Sequence, residues 1–535
     1  MRSALTRQAL QVLLWAKVNK VKINWSKTQF THSSFHPSDP PMKIENIRLH
    51  AQRSLKYLGV SFIANPNFST LIFELTTAAG DVRRRSSIIQ RLHRYNFPRR
   101  LMTNFVSAFC YSKMRYLTPL LAAEIHYPQT LHPLELATRA CMRVALGGFK
   151  TTPIPLLYAG SLQLRLPQLI TADASKLIVQ SISNQKSLGQ DCLNWNGSTD
   201  GWSPMGPAMH LLDRVQFEPE SLSIKLNIDN RVRDGLLRCH FHHNYTKELA
   251  KEMHLNQTLL HPADLSLWID GSFDYQSKLG SSAAILHDST TNSNATDSAR
   301  FQGAGDSYEA ELTALHLGLG LLRNRAPRQA TIRIYTDSKS LTMHLQAAAL
   351  RYKHEDNQFK ACAHLLTRLT ETNSVHVHWI PGHSDVGLNE HADALAARAM
   401  ANGRWITHQT RASTILTKIT QQMQRSSTRI TRASIKPSSH MDYPDRLPFK
   451  RMRPGQVFSG PIFRMRTGHT RCLNHLKRIG IVEDDNCRLC SQSPETMDHL
   501  MLRCPTLLPE LGELRTWLGD PQKNSISTLY SGKFT

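Results

Sequence analysis

W-I-P-G-H-S-D-V-G-L-N-E-H-A-D, residues 379–393, is the stretch on which the fold turns. It leaves an aromatic strand end, breaks at Pro-Gly, reaches His383, and then places Asp393 in the Ala-rich run A-D-A-L-A-A-R-A. Outward from it, three more acids lie where short strands or helices would present them. Asp270 closes the apolar run L-S-L-W-I-D-G-S, Glu311 lies in Y-E-A-E-L-T-A-L, and Asp337 closes T-I-R-I-Y-T-D-S. Clustered carboxylates repel one another and are costly to bury unless a cation holds them together. Four of them brought to one place predict a site for hard divalent metals with oxygen ligands.

The local patterns agree. Leu265 to Ile269 is an apolar run closed by Asp-Gly, and Ala283 to Leu286 is a second one across a Gly-Ser turn. From Ser307 onward, Leu312, Leu315, Leu319 and Leu322 recur at helical spacing, with Glu311 beside that stripe in the first turns. Ile332, Ile334 and Tyr335 predict a strand with Asp337 at its C-terminal edge. Val375, Val377 and Trp379 alternate with His376 and His378, which predicts a half-buried strand. Residues 389–400 read as a helix carrying Asp393. Open α/β sheets gather ligands at strand C-terminal ends, where Asp270 and Asp337 are expected. Singly, each acid has an ordinary explanation: Asp337-Ser338 would cap a helix, and Glu309 and Glu311 would favour a helix dipole. Their order is what carries information.

That order, D-G-S, E-L, T-D-S, P-G-H and A-D over residues 262–402, resembles a type 1 ribonuclease H domain. The resemblance implies a mixed sheet with flanking helices that cuts the RNA strand of RNA–DNA hybrids. It implies two Mg²⁺ ions, with Mn²⁺ able to replace them. Carried over position by position, it makes Asp270, Glu311, Asp337 and Asp393 the metal-binding carboxylates and His383 the auxiliary histidine, all five catalytic. Glu309 competes with Glu311, which is preferred because Leu312 follows it as a leucine follows the family's glutamate. Two ions about 3.5–4 Å apart clamp an in-line displacement at phosphorus, one activating water and the other stabilising the leaving 3′-oxygen. A catalytically inactive, nucleic-acid-binding descendant of the fold is the competing reading.

Lys and Arg outnumber Asp and Glu by 65 to 41, a net charge of +24, and the excess is uneven. Residues 265–400 hold 14 acidic and 12 basic side chains, whereas residues 403–478 hold 16 basic ones and only Asp442 and Asp445. A further patch, residues 83–100, interleaves arginines with His93, Tyr95 and Phe97. Such arms predict a polyanionic partner, RNA–DNA hybrid or other nucleic acid, bound in a salt-dependent way. Residues 403–455 read as a basic linker, solvated or bound to nucleic acid. No run of about 20 apolar residues exists, so no membrane-spanning helix is expected. Residues 1–18 include V-L-L-W, but Lys17, Lys20 and Lys22 follow without a small-residue cleavage site. An amphipathic helix is therefore expected there rather than a secretory signal. Nine cysteines, odd in number and mostly scattered, point to a reducing compartment, nucleus or cytoplasm, and not to secretion.

Cys487, Cys490, His499 and Cys504 are spaced C-x2-C-x8-H-x4-C. Three thiolates and an imidazole are the ligand set of a closed, structural Zn²⁺ site. Cys472, His469 and His475 are less regular alternatives. Upstream, V-K-I-N-W-S-K-T-Q-F (residues 21–30) and L-K-Y-L-G-V (residues 55–60) resemble the last palm motifs of reverse transcriptases from non-LTR retrotransposons. The Arg-rich helical stretch at 81–149 resembles their thumb, and R-T-G-H (466–469) with the Cys/His cluster resembles their tail. The expected organisation is multidomain α/β: palm remnant 1–80, α-rich thumb or connection region 81–200, linker 201–261, ribonuclease H domain 262–402, basic linker 403–455, zinc-binding region 456–510 and tail 511–535. The alternative for residues 1–260 is an unrelated α-rich accessory domain. The Tyr-x-Asp-Asp hairpin of such polymerases would precede residue 21, and the one adjacent Asp pair, Asp484-Asp485, lies beside the zinc cluster. The resemblance thus implies the C-terminal part of a retroelement polyprotein, or a host gene derived from one, without a polymerase active site. Retroelement RNA and a polymerase subunit in trans are the further partners it implies. The basic handle that some family members insert between the positions of Asp337 and His383 is missing, and the flanking basic arms are expected to replace it.

Overall fold

Residues 264–302 combine apolar and small side chains with two polar turns, and they form three ten-residue antiparallel strands. A computed structural model of the chain describes residues 2–32, 35–57, 60–64, 68–94, 97, 99–122, 128–186, 189, 206–260, 263–351, 354–382, 387–434, 459–507, 509 and 511. It divides into two units, residues 1–170 with 426–535, and residues 171–425.

In chain order the elements that build the sheet of the second unit and its surroundings are α1 (Asn230–Leu237), β1 (His240–His242), α2 (Lys247–Leu260), β2 (Leu265–Asp274), β3 (Leu279–Asp288), β4 (Ser293–Gln302), α3 (Ser307–Arg325), β5 (Thr331–Thr336), α4 (Lys339–Leu350), α5 (Asn357–Leu369), β6 (Ser374–Trp379), α6 (Gly387–Asn402), β7 (Arg404–Trp405) and the part of α7 (Ala412–Ala433) up to residue 425. The seven strands form one mixed sheet in the order β7-β4-β3-β2-β5-β6-β1. β2, β3 and β4 pair antiparallel, and β5, β6 and β1 add in parallel beyond β2. Side chains alternate across this sheet. Leu267, Ile269, Ile334 and Val377 face a core completed by Leu312, Leu315 and Leu319 of α3, Leu345 of α4 and Phe359 of α5. Trp268, Ile285 and Tyr335 face the other way, against Ala392 of α6.

Three expectations change. The stretch 201–261 is not a linker. Val232 and Leu236 of α1 are fully buried in the same core as β2 and α5, and β1 extends the sheet. Gly235 meets the Thr367 side chain so closely that a Cβ would collide with it. Nor is all of 403–455 a linker. Ile415, Ile419 and Met423 recur every four residues along α7 and are buried, the stripe expected of an amphipathic helix; residues 435–458 lie outside the described ones. Finally, Asp270-Gly271-Ser272 is no turn. β2 runs on to Asp274, and the turn is at residues 275–278.

The first unit is mostly helical. Helices Phe68–Arg94, Arg99–Val106, Ser112–Leu121, Pro128–Leu146 and Ile154–Ser161 follow two short antiparallel pairs, Met42–Ile44 with Ile47–Leu49 and Ser54–Tyr57 with Val60–Ile63. A helix also spans Arg2–Val18; Ala9 and Leu13 are half-buried and Ala16 is buried along one side of it, while Leu10, Val12, Leu14, Trp15 and Val18 are exposed. The later helix Ser459–Arg466 packs back on this unit: Phe463 is fully buried against Gly160, and Arg464 donates to the Gly147 carbonyl at 2.9 Å. Among the described residues no helix is long and apolar enough to cross a membrane.

Candidate metal centre

Asp270 stands mid-strand on β2, opposite Ala283. The next residue explains what it meets. A Cβ on Gly271 would collide with the backbone of Ala310 and Glu311, so only glycine lets the first turns of α3 lie this close to β2. Ser282, paired with Gly271 across the strands, donates to the Ala310 carbonyl at 2.6 Å and fastens that approach. Asp306 caps α3 by accepting from the Glu309 amide at 3.1 Å. Glu311 is thereby held over Asp270, with the Thr336 hydroxyl donating to its Oε2 at 3.3 Å.

Asp337 follows β5 directly. Ser338 caps α4 by accepting from the Leu341 amide, so the Asp337 carboxylate is left for the cluster. The Trp379 indole donates to the Asp337 carbonyl at 3.0 Å and ties the end of β6 to it. Gly382 lies against the same side chain, where an added Cβ would come within 2.8 Å of Asp337 Oδ2. Oxygens of Asp270, Glu311 and Asp337 all lie within 4.8 Å of one another. Asp393, half-buried on α6, is not part of that trio, but its charge reaches Asp270. α6 is anchored where Ser281 donates to the Ala396 carbonyl at 2.8 Å. His383 lies outside the described residues.

The electrostatics are those of anions confined together. Burial, then the charges of Asp337 and Asp393, lift the Asp270 carboxyl to about 7. Burial, then Asp270 and Asp337, push Glu311 well above the usual carboxylate range. A divalent cation would reverse this, and hard oxygen donors at these separations suit Mg²⁺.

Glu309 goes elsewhere. It is 1% exposed, pairs with His408 Nε2 at 2.9 Å and accepts from the Thr414 hydroxyl at 2.8 Å. Its carboxylate clamps the segment that follows β7 onto the start of α3. Sequence reasoning missed this role, because nothing near Glu309 signals partners a hundred residues away.

Residues 262–401 match the family model described as RNase H. This stretch is a ribonuclease H domain. Among solved structures it is similar to the N-terminal RNase H domain of Rv2228c from Mycobacterium tuberculosis, solved as a fusion with maltose-binding protein. That match has 18% identity, covers 26% of this chain and 94% of that chain, and has a TM-score of 0.21. No curated protein matches the chain. The carboxylate trio lies within the ribonuclease H domain, whereas α1, β1 and α7 are additions to its two ends.

The second expected centre also assembles. Cys487, Cys490, His499 and Cys504 offer ligand atoms within 4.8 Å of one another. The Cys487 and Cys504 sulfurs are 4.0 Å apart, near the roughly 3.8 Å edge of a tetrahedron built on Zn–S bonds of about 2.3 Å. The alternative ligands are used otherwise: His469 and His475 both reach Thr151, and Arg478 contacts His475. The Arg488–Glu495 pair braces the Cys487–Cys490 turn.

Proposed function

We propose that the chain is an endonuclease that hydrolyses the RNA strand of RNA–DNA hybrids by two-metal-ion catalysis, as part of a retrotransposon-derived protein. One observation carries the reading: Asp270, Glu311 and Asp337, far apart in sequence, converge within 4.8 Å inside a ribonuclease H domain. Asp270, Glu311, Asp337 and Asp393 would hold two Mg²⁺ ions, which supply an activated water and charge for the leaving 3′-oxygen. The chain's own residues do the positioning. Thr336 orients Glu311, Gly271 admits it, and Trp379 fixes the backbone of Asp337. Lys339 rests 4.8 Å from the centre of the Trp379 ring at this rim, where its ammonium suits a backbone phosphate. His383 would carry a proton to or from the reacting oxygens. The Cys487, Cys490, His499 and Cys504 cluster would hold one structural Zn²⁺ and brace the tail. The retroelement origin rests on the palm-like segments at 21–30 and 55–60 and on the Cys/His tail. A gel assay on a labelled hybrid tests the activity. Cleavage should need Mg²⁺ and vanish in Asp337→Asn while hybrid binding persists. Equal cleavage by both proteins would reject the assignment, and binding without cleavage by the wild type would favour an inactive descendant.

A further inference from the structure

A third set of ligating groups lies at the far edge of the sheet. β1 and β6 pair with His240 opposite His376 and His242 opposite His378. Alternate positions therefore put four imidazoles on one face. His242 Nε2 lies 3.3 Å from His376 Nδ1, and nitrogens of His242, His376 and His378 all fall within 4.8 Å of one another. His378 is 7% exposed, and its Nε2 is buried without a hydrogen-bond partner. Such a nitrogen calls for an explanation, an ion among the usual ones. His376 Nε2 contacts the Ser374 hydroxyl at 3.0 Å, the kind of outer contact that sets the tautomer of a ligating histidine.

We propose that His242, His376 and His378 form a transition-metal site that takes Zn²⁺ or a similar borderline divalent cation and leaves a fourth position open. Zn–N bonds of about 2.0–2.1 Å in a tetrahedron set ligand nitrogens about 3.3 Å apart, which is already the His242–His376 separation. The His242 and His378 rings are stacked at 4.2 Å with planes 7° apart. A metal lies in the plane of each imidazole it binds, so one of these rings must turn about its Cβ–Cγ bond to close the site. Imidazole donors select zinc, copper or nickel over magnesium, which separates this site from the carboxylate centre. Burial foremost, then neighbouring imidazoles, hold His376 down at about 4 and depress His242 and His378 as well. Protons therefore do not compete for these nitrogens at neutral pH. The charge of Arg333 also lowers His376 and His378, so an anion or hydroxide in the open position would offset its repulsion of the cation. His378 also stacks on Tyr335 at 5.3 Å, two residues before Asp337. An ion here would pin the edge strand to the strands that present the carboxylate centre.

The test uses the full chain with Cys487→Ser and Cys504→Ser, which removes the thiolate cluster. After loading with Zn²⁺ and desalting, metal content is counted by mass spectrometry. One Zn²⁺ per chain is expected, lost in His376→Ala and in His378→Ala. Cu²⁺ in its place should show nitrogen couplings from three imidazoles in electron paramagnetic resonance. Should replacing a buried histidine unfold the sheet, diethyl pyrocarbonate labelling of the unsubstituted chain decides instead. Zn²⁺ should protect His242 and His376 and leave exposed His364 unchanged. No retained Zn²⁺, equal metal in folded variants, or unaltered labelling at His242 and His376 would overturn the assignment.

Discussion

Asp270→Asn should make the metal-free chain more stable and, in the same molecule, abolish hybrid cleavage. Burial and the neighbouring aspartates lift this carboxyl from 3.8 to about 7 in the folded protein. In the unfolded chain it titrates near its ordinary value. Between those two values the folded state keeps a proton that the unfolded state has released. The group's contribution to stability therefore falls as pH rises from about 4 to about 7 and stays unfavourable above that. At about 1.4 kcal/mol per pH unit, the climb corresponds to about 4 kcal/mol at pH 8. Because the trio shares its protons, one substitution should recover about 2–4 kcal/mol of this. Asparagine is neutral throughout and lacks the penalty. For a body of roughly 250 residues, 1 kcal/mol moves the melting temperature by about 2–4 °C, so a rise of about 5–15 °C is expected. Calorimetry in EDTA at pH 5 and pH 8 reads the difference directly, and adding Mg²⁺ at pH 8 should raise the wild type far more than the variant. The reasoning is refuted if the variant melts no higher than wild type at pH 8 without divalent ions. It also fails if the gap between them does not widen as pH rises from 4 to 7.

Four other outcomes are expected. Gly271→Ala forces a methyl group into the backbone of Ala310 and Glu311, so it should cost at least the 1–3 kcal/mol typical of overpacking, about that much by urea midpoint, and should cut cleavage by displacing Glu311. Glu309→Gln should destabilise the domain by about 1.5–3 kcal/mol, through lost charged hydrogen bonds to His408 and Thr414, yet retain cleavage. Glu311→Gln should do the reverse, and similar activity losses in both would show that the two glutamates had been assigned wrongly. Leu236→Ala should cost about 2–5 kcal/mol although it lies outside the segment that matches the family, as a denaturation curve of the full chain will show. An unchanged curve would restore the linker reading of 201–261.

The ordered acids were legible because each sits at a break in a hydrophobic pattern, and patterns of period 2 and 3.6 can be read without neighbours. The strands at 331–336 and 374–379 and the helix at 307–325 follow from that periodicity alone. β4 was not legible. S-N-A-T-D-S-A-R-F-Q is largely polar and exposed, and it becomes a strand by pairing along its whole length with β3. The helices α1 and α7 were passed over because their basic, polar composition masked the short stripes Val232/Leu236 and Ile415/Ile419/Met423.

Residue order alone, then, was enough to read the kind of domain and to single out the acids Asp270, Glu311 and Asp337 and the Cys/His residues of the tail, since these depend on residue type and spacing along one chain. Tertiary structure decided which glutamate faces Asp270 and which clamps the segment after β7. It also decided that residues flanking the domain complete its core, and that histidines from β1 and β6 share a face. The reason is physical: strand register and helix docking set which side chains meet across space, and a carboxylate or an imidazole acquires its chemistry from the groups it meets.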